Sequence, residues 1–71
     1  MERDLAEAFD LYQRAATQGY AFAQRNLANL YRYGVGVEKD YDKALRWYRS
    51  AARQGDSQAA AAVRALQPLV E

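Results

Sequence analysis

Apolar residues recur at three- and four-residue spacing in four blocks of this chain, each closed by a glycine or a proline. Leu5, Ala8, Phe9, Tyr12, Ala15 and Ala16 make one stripe, which predicts a helix over about 4–18. Ala23, Leu27, Leu30 and Tyr31 predict a second over 21–33. The third, over 41–54, has Ala44, Leu45, Trp47, Tyr48, Ala51 and Ala52 inward. A fourth follows over 57–67, with Ala59, Ala62, Val63 and Leu66 inward.

Polar residues mark the helix boundaries. Asp4, Asp40 and Asp56 each precede an apolar stripe, where a carboxylate can accept from the free N–H groups of a first helical turn. Glu7 reinforces the first start by opposing the helix dipole. Gly19 and Gly55 stand where a helix C-terminus turns left-handed. Gly34 and Gly36 break the helical period between the second and third blocks. Pro68 lacks an N–H and is expected to end the fourth helix, leaving 68–71 as a frayed tail. Asp10/Arg14 and Asp42/Arg46 have the favourable ion-pair spacing. Connections are short at Gly19 and Gly55, which implies antiparallel helix hairpins.

The blocks are copies of one unit. Shifting the chain by 36 residues aligns ten identical pairs out of 35, including Asp4/Asp40, Ala8/Ala44, Tyr12/Tyr48, Ala15/Ala51, Gln18/Gln54, Gly19/Gly55 and Leu30/Leu66. These identities fall at turns and on core faces, the positions a structural repeat must keep.

Composition first suggests a weak core, since 15 of the 36 apolar residues are alanine. The repeat changes that picture. Alanines at 8/44, 15/51, 16/52 and 23/59 sit where neighbouring helices must approach closely. A net charge of +1, with eight Arg and two Lys interleaved with acids, argues against nucleic acid as a partner. With no Cys and no His, thiolate and imidazole chemistry, disulfides and His- or Cys-ligated metals are excluded, so no cofactor is expected. The acids at Glu2, Asp4, Glu7, Asp10, Asp40 and Asp42 are explained by helix capping, so no enzymatic activity is expected. Gly34-Val35-Gly36 lacks the lysine and further glycine of a phosphate loop. The longest apolar run, Ala59–Val63, is far too short for a membrane span, and residues 1–20 show no signal peptide. A cytoplasmic protein is expected, without membrane association.

The segment Ala23…Leu27-Ala28…Tyr31…Gly34-Val35-Gly36-Val37…Asp40…Lys43-Ala44…Trp47-Tyr48…Ala51-Ala52…Gln54-Gly55 resembles the Sel1-like repeat family. Ala28 departs from the family's preferred glycine, with the next smallest side chain. Residues 4–19 resemble the second helix of a preceding repeat, and 56–66 a degraded first helix of a following one. The resemblance implies an all-α fold: one domain over 1–71, an α/α superhelix of two antiparallel helix hairpins related to tetratricopeptide stacks. It also implies a scaffold or adaptor that holds a partner protein or peptide on the face of the first helix of each repeat.

On that face, Phe22, Arg25, Asn29, Arg32 and Tyr33 are the candidate partner-binding residues, suited to an acidic or polar peptide. Their counterparts Ala61, Ala65 and Pro68 offer little, so the groove is expected to be lopsided. The alternative is a structural repeat unit, engineered or excerpted from a longer array, that associates with itself and has no native ligand. Two repeats leave one flank of the first and fourth helices without neighbours, and Leu5, Phe9, Leu11 and 60–63 could stack on another copy.

Overall fold

Four helices follow one another without strands in the computed structural model, which describes residues 5–70. They are α1 (Leu5–Thr17), α2 (Ala21–Tyr33), α3 (Tyr41–Arg53) and α4 (Ser57–Val70). The expected cap at Asp4 lies outside the described residues. Asp40 caps α3 as its position demands: its Oδ1 accepts from the Lys43 N–H at 3.0 Å. Asp56 does the same for α4, accepting from the Ala59 N–H at 3.0 Å. Each carboxylate satisfies a first-turn donor that has no partner within its helix.

The buried apolar side chains are Ala16 on α1, Ala23, Leu27, Ala28 and Tyr31 on α2, Ala44, Leu45, Tyr48 and Ala51 on α3, and Ala59, Ala62 and Leu66 on α4, with Gln24 of α2 buried among them. Five of the seven alanines in this group have no exposed surface, as close approach of helix backbones requires. Leu27 and Leu66, almost fully enclosed, contribute about 2 kcal/mol each by leaving water. Phe9 closes the α1 side with an edge-to-face contact on Tyr31, ring centroids 5.5 Å apart.

The connection 34–40 wraps back onto α1. Gly34 adopts a left-handed conformation (φ 70°) and its N–H returns to the Leu30 carbonyl. Gly36 also has positive φ (75°), and a Cβ there would lie 2.7 Å from the Leu5 carbonyl oxygen. Both turn geometry and packing on the start of α1 therefore require glycine at 36. The Asp40 N–H then bonds the Tyr31 carbonyl at 2.9 Å and sets the direction of α3.

Two expectations need correction. Pro68 does not end α4; the helix continues through it to Val70, so 68–70 is helical rather than frayed. The proline φ is itself helical, the lost donor leaves only the carbonyl of exposed Arg64 without its helical partner, and Val70 packs against the core. Asp10 and Arg14 do pair, at 3.2 Å on the wet side of α1. Asp42 and Arg46 do not form the equivalent ion pair; Arg46 instead lines a groove with Trp47, and so exposed a pair offers little to hold it.

Candidate functional site

The outward positions of α2 divide into two kinds. Phe22 and Tyr33 are exposed aromatics, 55% and 64% accessible, near opposite ends of the helix. They stand eleven positions apart, about 16 Å along the axis. Tyr20 lies beside Phe22, with ring centroids 6.0 Å apart, so two rings cover the entry to α2. At the other end the Arg32 guanidinium carbon stands 5.2 Å from the Tyr33 ring centre, a cation–π arrangement.

Between these ends the polar candidates are engaged with the rest of the fold. Asn29 Oδ1 accepts a hydrogen bond from the hydroxyl of Tyr48 on α3. Arg32 adjoins the same hydroxyl, and this interaction does most to raise its already high pKa. Burial pushes the Tyr48 phenol above its ordinary value and outweighs the opposing pull of Arg32. Tyr48 is therefore a neutral donor at physiological pH. Arg25 Nε donates to Asp56 Oδ2 at 2.9 Å, so it ties α2 to the start of α4. Burial alone would raise the Asp56 pKa, but the Ala59 N–H and the Arg25 guanidinium outweigh it and hold the carboxyl below the usual range. The structure thus joins Asn29 and Arg32 at the Tyr48 hydroxyl, with the Tyr33 ring beneath Arg32. It leaves Phe22 apart with Tyr20 and engages Arg25 in a tertiary ion pair.

Gln24 and Gln54 are polar contributors that helical periodicity does not single out, whereas Tyr48 stands on the inward stripe of α3. Gln24, buried on α2, donates to the Ala16 carbonyl at 3.1 Å. Gln54 donates to the Gly19 carbonyl at 2.9 Å and to Gln24 Oε1 at 3.1 Å. These bonds join the ends of α1 and α3. The visible signal for Gln54 is its repeat identity with Gln18; Gln24 has none, because its repeat mate is Ala60.

Two of the shallow grooves among the described residues lie away from this face. One, of about 400 Å³, is lined by Gln13, Tyr31, Lys43, Arg46, Trp47 and Ser50. The other, of about 380 Å³, has Ala52, Ala60 and Val63 as its floor and Arg49, Arg53 and Arg64 around it. Among the described residues no group of three or more His, Cys, Asp or Glu side chains gathers where it could hold a metal, and no helix is long and apolar enough to cross a membrane.

Paired helices repeating every 36 residues, with small residues at their contacts, define an all-α helical repeat protein. The Sel1 repeat profile matches residues 1–20 and 21–56, and the chain belongs to the Sel1 repeat family. Its fold matches the crystal structure of a Sel1 repeat protein from Oxalobacter formigenes with a TM-score of 0.85 and 38% identity, over 89% of this chain and 26% of that one. It is 38% identical to the chitin synthase regulator SKT5 of Saccharomyces cerevisiae over 82% of this chain and 8% of that protein. It is 41% identical to the ERAD-associated E3 ubiquitin-protein ligase component HRD3 of Candida glabrata over 65% of this chain and 6% of that protein. The chain therefore spans less than a tenth of these curated relatives.

Proposed function

We propose that this chain is a protein-interaction module, a scaffold or adaptor domain that presents the outward face of α2 to a partner protein or peptide and works by binding rather than catalysis. The carrying observation is the placement of aromatics. Nearly every other large ring is at least half-buried, whereas Tyr20, Phe22 and Tyr33 stay exposed on or beside α2. Exposed aromatics flanking an arginine are the side chains that most often anchor protein interfaces. Arg32 supplies a cation between them, which favours a segment carrying a carboxylate near apolar side chains. Relatives named as a chitin synthase regulator and a ubiquitin-ligase component support a role in assembling other proteins. A chain without cysteine fits the cytoplasm, the compartment we assign to it.

The Arg25–Asp56 pair determines how this is tested. Reversing Arg25 would set two carboxylates together at the start of α4 and confuse unfolding with lost binding. Panning a random peptide library against the folded chain avoids that problem. The expected ligands are rich in Asp or Glu beside apolar residues. Phe22→Ala, Arg32→Ala and Tyr33→Ala should each weaken them about tenfold, as hot-spot truncations do, with helicity unchanged. Failure to enrich any peptide, or enrichment indifferent to all three substitutions, would contradict the reading.

A further inference from the structure

The groove of about 400 Å³ between α1 and α3 gathers positive charge beside aromatic rings. Gln13 of α1 forms one wall, α2 contributes Tyr31, and Lys43, Arg46, Trp47 and Ser50 of α3 form the other wall. No acid is among these lining residues. Lys43 Nζ stands 5.6 Å from the Tyr31 ring centre, and Trp47 is half-buried. Among the described residues neither Lys43 nor Arg46 forms an ion pair. Asp42 sits one turn before Arg46 without bonding it, and Asp10 of α1 is already held by Arg14. The repeat does not require this charge. The mates of Lys43, Arg46 and Trp47 on α1 are Glu7, Asp10 and Leu11. On α1 the acid at 10 is neutralised by Arg14 one turn on; on α3 those two positions hold Arg46 and Ser50, which leaves the cation open.

We infer that this groove is a second interaction surface, which takes an extended acidic segment of a partner protein, an aromatic side chain with carboxylates on both sides of it. The aromatic side chain lies against Trp47, since a half-buried indole gives up little water and gains a broad contact. The flanking carboxylates meet Lys43 and Arg46, whose long stems reach a charge at the rim of a shallow groove. Gln13 and Ser50 offer an amide and a hydroxyl to the backbone of the segment. Shape and charge select this occupant. A shallow groove suits a segment laid along it better than an enclosed small molecule. Lys43 rests on the Tyr31 ring, so separate carboxylates can meet it and Arg46 without the convergence that a single phosphate needs. None of the lining residues is among those assigned above to partner binding on α2. A chain with both surfaces can join two acidic partners at once, and the two readings fail independently.

Trp47 is the chain's one tryptophan, so its fluorescence reports directly on this groove. The probe is a blocked pentapeptide with phenylalanine at its centre and two glutamates on each side, titrated into the folded chain at low salt. Trp47 emission should change saturably, and binding should weaken in high salt. Lys43→Ala and Arg46→Ala should each weaken binding about tenfold. Both side chains are exposed and free of ion pairs among the described residues, so circular dichroism should show the fold unchanged. Phe22→Ala and Arg32→Ala, on the α2 face, should leave the titration as it is. No saturable change up to millimolar peptide, or an equal response to the counterpart with lysines in place of glutamates, would overturn the inference. So would binding indifferent to Lys43→Ala and Arg46→Ala, or binding lost in Arg32→Ala alone. A phosphotyrosine peptide that binds where the glutamate peptide does not would overturn it in favour of a phosphate.

Discussion

At the scale of a residue, Asp56 carries the most structure for its size. One oxygen caps α4 through the Ala59 N–H and the other holds Arg25 of α2. Its side chain is 13% exposed and that of Arg25 27%, so the pair is partly sheltered from solvent screening. Asp56→Ala removes both bonds and should cost about 1–2 kcal/mol. Asp56→Asn keeps a capping acceptor, gives up the charge, and should cost less. The pH dependence has a definite sign. The folded carboxyl titrates below its ordinary value of 3.8, so its stabilisation is complete above that value and is lost as pH falls through the folded pKa. Urea midpoints should therefore separate wild type from Asp56→Asn at about pH 7 and converge toward about pH 2. A gap that is constant across this range would show that the ion pair contributes nothing.

At the scale of an element, α4 shows what local pattern can and cannot reveal. Its apolar spacing and its capping aspartate are readable in the sequence because both act within a turn or two. The three other helices are recovered within a residue or so at each end for the same reason. Pro68 misleads because its local penalty, one lost hydrogen bond, is offset by the packing of Val70, which only the folded chain supplies. Pro68→Ala should restore a donor to the Arg64 carbonyl and raise stability by about 1 kcal/mol, readable as a higher urea midpoint. A lower midpoint would mean that the proline ring itself packs usefully. The candidate face was legible only in part for a related reason. Arg25 meets its partner 31 positions away and Asn29 meets Tyr48 across 19. A helix-face pattern assigns both to solvent, because it cannot see the neighbouring helix. Exposed Phe22 and Tyr33 have no such partner to hide, and the pattern placed them correctly on the surface.

Across the whole molecule, the helices stack in sequence order, α1 on α2, α2 on α3 and α3 on α4, over a long dimension of 36 Å. Stability in such a stack is a sum over neighbours, so it should fall toward helices with one neighbour. Among the described residues the inner helices α2 and α3 hold five and four buried side chains, α4 three, and α1 only Ala16. The network that ties down α1 lies at its C-terminal end, where Gln24 and Gln54 bind the Ala16 and Gly19 carbonyls. Its first turn rests on the 34–40 connection through Gly36. Opening α1 from that first turn leaves α2 to α4 packed on one another. Hydrogen exchange at micromolar concentration should show α1 amides opening with much the lowest free energy, α4 next, and α2 and α3 together highest. Uniform protection across all four helices would instead mean that the two repeats unfold as one cooperative unit.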